Sequence, residues 1–358
     1  MGTVFDDAPQ HGGRPGPRPL PLFLALLHHT TAGDPERMAR ALAGLRAYQD
    51  AAREPPMPTM PVAAQIGRVT LRDYGGSGRP VVFVPSLINP PGILDLSAET
   101  SLLRWMATQG MRTYLVDWGM PTREDSDLDL TDHVERLLVP LLDGLCPRPV
   151  LVGYCLGGTI AIAAAARMPV AAVATIAAPW HFSGYDEPAR GALDAIWTAA
   201  EHASSTLGLL PIEVLQAAFW QLDPARTIAK YEAFAAMLPG SAAARAFVRL
   251  EDWANTGAPL PHAAARALFV DCIAADRPGR GAWRIGDTVV DPLLLGCPTT
   301  EFVSLTDRIV PAATAIGFAD RRDLALGHVG MIVGRRARDA LWTPLAAWIG
   351  ALAHHRVA

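Results

Sequence analysis

The chain has 358 residues, of which 50% are hydrophobic and 18% charged, with a formal net charge of -4. That is enough apolar material for one large α/β domain or two smaller ones. Acidic and basic residues are interspersed and no Lys/Arg run is present to track a phosphate backbone, which argues against a nucleic-acid-binding role.

The four cysteines, Cys146, Cys155, Cys272 and Cys297, form no C-x-x-C pair, and no His/Cys cluster has zinc spacing. Neither a disulfide scaffold nor a metal site is expected, and a reduced, cytoplasmic setting is the simplest expectation. The opening "MGTVFDDAPQHGG" has no apolar secretion core. No uncharged apolar run approaches the ~20 residues of a membrane span.

In chain order, residues 1–19 are rich in Gly and Pro and read as an arm. Helical spacing runs from Leu20 to about Ala51, with Asp34 as N-cap and Pro35 in the first turn. "REPPMPTMP" (Arg53–Pro61) reads as a linker. "RVTLRDYGG" alternates like an edge strand. "PVVFVPS" (Pro80–Ser86) is a continuous apolar run, as in a strand buried on both faces. The prolines of "INPPGILDL" exclude regular helix. A helix ("SLLRWMATQG"), a strand ("RTYLVDWG"), an amphipathic helix ("DLTDHVERLLVPLLDGL"), a strand ("PVLVGYC"), an alanine-rich helix ("GGTIAIAAAARM") and a strand ("VAAVATIAAP") follow. This alternation predicts a parallel α/β sheet.

From about Trp180 to Asp287 helical patterns and aromatics take over. This is the pattern of a helical cap inserted in the sheet domain, its aromatics forming a core of their own rather than a binding cage. The α/β rhythm then resumes with "CPTTEFVSLTDRIVP", "RDLALGHVG" and a terminal helix "RDALWTPLAAWIGALAH". The expected divisions are an N-terminal arm, helix and linker over 1–61, a first core segment over 62–180, the cap over 181–287 and a second core segment over 288–358.

One stretch carries chemistry. "LVGYCLGGT" (Leu151–Thr159) has the form G-x-C-x-G between an apolar strand and an alanine-rich helix. That is the setting of a nucleophile elbow, a sharp strand-to-helix turn closed by the small residues Gly153 and Gly157. The turn lifts Cys155 out of the sheet, and the helix N-terminus favours its thiolate. The N–H of Leu156 can then face a developing oxyanion, and a second N–H is expected from the loop Ser86–Ile88, at Leu87. Such sites run nucleophile, acid, base along the chain. Asp307 in "SLTDRIVP" follows an apolar strand, and His328 in "LGHVG" precedes a helix, so Asp307 is the expected acid and His328 the expected base. The other cysteines, His28, His29, His354, His355, His181 and Asp117 are expected to be surface or structural residues.

These segments resemble the poly(3-hydroxyalkanoate) synthases. "VPSLINPPGILDLSAETSLLRWMATQGMRTYLVDWGMPTRED", "VGYCLGGT", "GLLPIEVLQAAFWQLDP", "RLEDWAN", "CPTTEFVSLTDRIVP" and "GHVGMIVG" carry the likeness in order, roughly from Val62 to the end of the sequence. "VGYCLGGT" is similar to that family's modified lipase box, with cysteine in place of serine. The chain most resembles the short catalytic subunit of the two-component (class III) synthases. The resemblance implies an α/β-hydrolase fold with a helical cap, and a cytoplasmic acyltransferase that polymerises (R)-3-hydroxyacyl-CoA into polyester with release of CoA. It implies Cys155 as nucleophile, His328 as base and Asp307 as acid. CoA enters as part of the substrate, and no cofactor is expected. Dimerisation, a partner synthase subunit and a polyester granule are further implications. The family has His directly after the catalytic Asp, whereas this chain has Arg308. The alternative is a cysteine-dependent hydrolase, an esterase, thioesterase or intracellular polyhydroxyalkanoate depolymerase.

Overall fold

The apolar runs of the sequence become the strands of one eight-stranded sheet. The computed structural model describes residues 15–352. In chain order the strands are β1 (Val62–Ile66), β2 (Val69–Asp73), β3 (Pro80–Val84), β4 (Arg112–Asp117), β5 (Val150–Tyr154), β6 (Ala172–Ile176), β7 (Leu209–Leu210), β8 (Leu260–Pro261), β9 (Arg284–Ile285), β10 (Thr288–Val289), β11 (Thr299–Ser304) and β12 (Arg321–Leu324). The large sheet has the order β1-β2-β4-β3-β5-β6-β11-β12, while β7 pairs with β8 and β9 with β10. β1 and β2 are antiparallel, as are β2 and β4. From β4 to β12 neighbouring strands are parallel.

β3, β5 and β6 are buried at every residue, which is why they read as unbroken apolar runs rather than alternating ones. The helix Leu156–Arg167 supplies much of the cover. Its Ile160, Ala161, Ile162, Ala163 and Ala164 are fully inaccessible. The chain after Arg68, expected at the sheet edge, is instead the second strand, because β1 lies outside it. β1 was hidden by its sequence: "VAAQI" is short, alanine-rich and mostly exposed, so it carries little periodic signal. Gly67, at φ 56°, takes the left-handed conformation that the two-residue turn between β1 and β2 requires.

The parallel order places the exits of β3, β5, β11 and β12 on one edge. Val84 lies opposite Gly153, Tyr154 opposite Ile176, Phe302 opposite Ile176, and Ser304 opposite Leu324. The loops that follow these residues carry Leu87, Cys155, Asp307 and His328. In open parallel sheets ligands bind outside the carboxyl ends of the strands.

The chain falls into two units that cut it differently from the expected divisions at 61, 180 and 287. One unit holds the described residues up to Glu54 together with Pro224–Asn255, and the other holds the rest. The first consists of the helices Leu20–Thr30, Pro35–Asp50, Pro224–Ala235 and Ala242–Ala254. Asp34 caps the second of these, accepting from the Arg37 N–H at 2.9 Å. Gly44 sits where a Cβ would meet the Tyr231 carbonyl, so the helices cross closely there. Around that crossing pack Phe23, Tyr48, Tyr231, Phe234 and Phe247, with the Tyr48 hydroxyl donating to Asp252 at 2.6 Å. In the second unit Trp197 stacks on Phe269 and on His262. Trp197, Trp220, Tyr231, Phe234 and Phe269 are all buried, as core residues are.

The terminal helix runs from a π-helical turn at Arg338–Trp342 into Thr343–Ala351. Residues 1–14 of the expected arm, and His354 and His355, lie outside the described residues. Among the described residues no helix is long and apolar enough to cross a membrane.

Candidate active site

Cys155 stands between β5 and the helix Leu156–Arg167 with φ 57° and ψ -135°. A residue with a side chain is strained in this region by about 1–3 kcal/mol, so the surroundings must enforce it. They do so from several sides. The Cys155 N–H donates to Ile176 O at 2.9 Å, and Cys155 O accepts from the Gly158 N–H at 2.8 Å. A Cβ on Gly153 would lie 2.3 Å from Gly158 Cα, and one on Gly157 would lie 2.1 Å from Val84 O and 2.5 Å from Pro85 O. The glycines of the motif therefore do two things. They close the turn, and they let it press directly on the strand end that leads into the Leu87 loop.

That loop is fixed in turn by the Trp118 indole, whose Nε1–H donates to Pro85 O at 3.0 Å. The Ser86 hydroxyl accepts from the Ile88 N–H at 3.2 Å. Leu87 and Leu156, the two expected donors to an oxyanion, are both buried. Leu156 opens the helix, where the first N–H groups have no intrahelical acceptor. Across the loop, a Cβ on Gly257 would lie 2.8 Å from Ile212 and 3.0 Å from Ile88 O. The segments carrying Ile212 and Gly257 thus lie against the same loop.

Asp307 and His328 are brought together. His328 Nδ1 is 2.5 Å from Asp307 Oδ2, and both side chains are nearly inaccessible. Asp307 Oδ1 accepts from the N–H groups of Ile309 (2.7 Å) and Val310 (3.1 Å), which fixes the carboxylate from the side away from the imidazole. The strand exits are also tied, because the Ser304 hydroxyl donates to Leu326 O. The Tyr154 ring stacks on the His328 ring with centroids 5.0 Å apart, and its hydroxyl donates to His328 O at 3.3 Å.

Burial alone would lower the basicity of His328. The negative charges of Asp307 and Cys155, with a hydrogen bond to each, outweigh it and push the pKa up from 6.5 to about 10. With Nδ1 turned to Asp307, Nε2 is the nitrogen left for Cys155. Both partners thus act to hold a proton on the imidazole. The other cysteines differ. Burial pushes the Cys297 thiol up to about 11 and the Cys272 thiol higher still, and Cys146 is exposed.

Arg308 does not turn toward this pair. Its exposed side chain lies 3.6 Å from Asp223 Oδ2. Asp117 pairs with Arg72 at 3.3 Å and accepts from the Gly119 N–H, a structural role. His28 and His29 are exposed. Among the described residues no group of three or more His, Cys, Asp or Glu could hold a metal ion.

Three residues that brace the site were not singled out from sequence: Trp118, Tyr154 and Tyr185. Tyr154 and Trp118 end or follow strands that point at the site, a positional signal that could have found them. Tyr185 donates its hydroxyl to Ile309 O at 2.8 Å, a contact over 124 positions that no local pattern announces.

The sequence profile of the alpha/beta hydrolase family matches residues 81–340. The chain is 27% identical over 285 residues to the poly(3-hydroxyalkanoate) polymerase subunit PhaC of Haloferax mediterranei, covering 75% of this chain and 58% of that protein. It is 27% identical over 306 residues to the protein of the same name from Haloarcula marismortui, covering 80% and 63%. The chain thus spans less than two thirds of the length of these two relatives. Among solved structures, MenH from S. aureus superposes with a TM-score of 0.50 at 16% identity, over 79% of this chain and 99% of that one, a likeness of fold. With the profile spanning the sheet from β3 to beyond β12, and with a mostly parallel sheet whose strand exits carry an elbow, the chain belongs to the alpha/beta hydrolase family.

Proposed function

We propose that the protein is an acyltransferase that polymerises (R)-3-hydroxyacyl-CoA into polyhydroxyalkanoate and releases CoA. The observation that carries the reading is Cys155 in an enforced elbow beside a hydrogen-bonded His328–Asp307 pair. The relatives named as poly(3-hydroxyalkanoate) polymerases support the polyester product of this reading.

In this reading His328 holds the proton and Cys155 attacks as thiolate. The thiolate adds to the carbonyl carbon of the CoA thioester, and the Leu156 and Leu87 N–H groups receive the oxyanion. The C–S bond to CoA breaks, and the imidazolium gives its proton to the departing CoA thiolate. Acylation has now removed the Cys155 charge, one of the two that raised the pKa of His328. The neutral imidazole can therefore take the proton of an incoming hydroxyl as that oxygen attacks the Cys155 thioester. An ester forms, the thiolate returns and the imidazolium is restored. Thiol rather than hydroxyl suits this cycle, because a thioester keeps the acyl group activated for transfer to an alcohol. The segments around Ile212 and Gly257 act as the part of the cap that keeps water from this thioester.

The same reading carries a cytoplasmic location at the surface of a polyester granule, and assembly with a second copy or a partner synthase subunit.

Arg308 favours a second reading, a cysteine-dependent hydrolase, since it stands where the resemblance calls for His and turns to Asp223. Product analysis separates the two. With 3-hydroxybutyryl-CoA, the synthase yields CoA and growing polymer, and the hydrolase yields CoA and free hydroxy acid. Cys155→Ala should abolish CoA release in either case. Undiminished release from that variant would remove both readings.

A further inference from the structure

We propose that Tyr185 is a positioning residue that holds the Asp307 carboxylate in place for His328 through the peptide group joining Ile309 and Val310. The inference rests on reading Cys155, His328 and Asp307 as one catalytic set.

That peptide group is engaged at both ends. Its carbonyl, Ile309 O, accepts from the Tyr185 hydroxyl at 2.8 Å. Its N–H, on Val310, donates to Asp307 Oδ1 at 3.1 Å. The carbonyl and N–H of a trans peptide point in opposite directions, so one chain of hydrogen bonds runs from Tyr185 through the peptide to Asp307. From Asp307 Oδ2 it continues to His328 Nδ1 at 2.5 Å. Hydrogen bonds in series polarise one another, so the phenol strengthens the N–H that faces the carboxylate.

Tyr185 is itself firmly set. A Cβ on Gly184 would lie 2.3 Å from Ala313 O, so the chain just before Tyr185 lies on the stretch that follows Asp307. Thr314 O accepts from the N–H groups of Trp180 (2.8 Å) and His181 (3.1 Å), which fastens the two stretches together. The Phe182 ring stacks on Tyr185, and the Phe182 N–H donates to the buried Asp276 at 2.8 Å. Burial, with the charges of Cys155 and Asp307 nearby, pushes the phenol pKa upward, so the hydroxyl keeps the proton it donates.

The test uses iodoacetate on the full chain, with alkylation of Cys155 followed by peptide mass across pH. An anionic reagent is captured while Cys155 is thiolate and His328 is imidazolium, so the rate is bell-shaped. Its low limb is thiolate formation and its high limb is loss of the imidazolium proton. Tyr185→Phe removes only the hydroxyl. A less firmly held Asp307 stabilises the imidazolium less, so the high limb should fall and the low limb should rise. The window then narrows from both sides, and kcat for acyl transfer drops about 10-fold with KM little changed. Tyr185→Leu gives a second removal of the donor should the first variant fold poorly. An unchanged window in a folded variant, or a lost activity that only follows the folded fraction in thermal melts, would overturn the proposal. His328→Gln is the separate control. If it leaves the wild-type profile unaltered, the pairing of Cys155 with His328 itself is wrong, and that outcome needs no acyl-CoA substrate to detect.

Discussion

At the scale of single residues, His328 is decided by a contest. Burial acts against its charge, and Asp307 and Cys155 act for it more strongly. The sign of the consequence is fixed. A histidine whose pKa is raised by folding contributes stability that is fully present below about 6.5 and is lost as pH rises toward about 10. In Asp307→Asn the anionic partner is gone, so wild type should exceed the variant in stability by most below pH 6.5. The margin should shrink through the alkaline range in urea denaturation. The same variant should lose kcat on the order of 10²–10⁴-fold. The placement of the candidate residues was legible in the sequence from local signatures: a small-residue turn after an apolar strand for Cys155, a loop just beyond an apolar strand for Asp307, and a Gly-flanked position ahead of a helix for His328. Tyr185 had none, since what it does depends on a carbonyl far away in the chain.

At the scale of elements, the elbow and the Leu87 loop form one unit, because the Gly157 Cα rests on the Val84 and Pro85 carbonyls. Gly157→Ala cannot be absorbed by a flexible side chain, since the atoms it would meet are backbone. It should destabilise the fold by about 1–3 kcal/mol in urea denaturation and displace Pro85 from Trp118. Turnover should fall further than the folded fraction does. The strands β3, β5 and β6 were readable as continuous apolar runs because both of their faces are covered. β1 was not, since a short alanine-rich strand lying mostly in solvent has neither periodicity nor bulk. β11 shows another limit. Its Glu301 is buried, and its carboxylate accepts from the Ile316 and Gly317 N–H groups, both at 3.0 Å, partners that no local pattern announces.

At the scale of the whole molecule, alternation of strands and helices disclosed the α/β architecture. The grouping of Pro224–Asn255 with the N-terminal helices was not legible. It is made by close crossings such as Gly44 against Tyr231, and helical periodicity gives a helix its apolar face without naming its partner. The proposed chemistry needs the strand exits of the large sheet to act together: a thiolate at one, a charge-holding pair at two others and oxyanion donors beside them. Its central claim is that Cys155 carries the acyl group between CoA and an alcohol. The most direct measurement is a rapid quench of the protein with 3-hydroxybutyryl-CoA, followed by peptide mass analysis, with and without a chase of hydroxyl-terminated oligomer. The account expects a hydroxyacyl group on the Cys155 peptide that disappears in the chase as the oligomer lengthens by that unit. CoA release with no acyl group ever found on Cys155, and with His328→Gln turning over as fast as wild type, would contradict it.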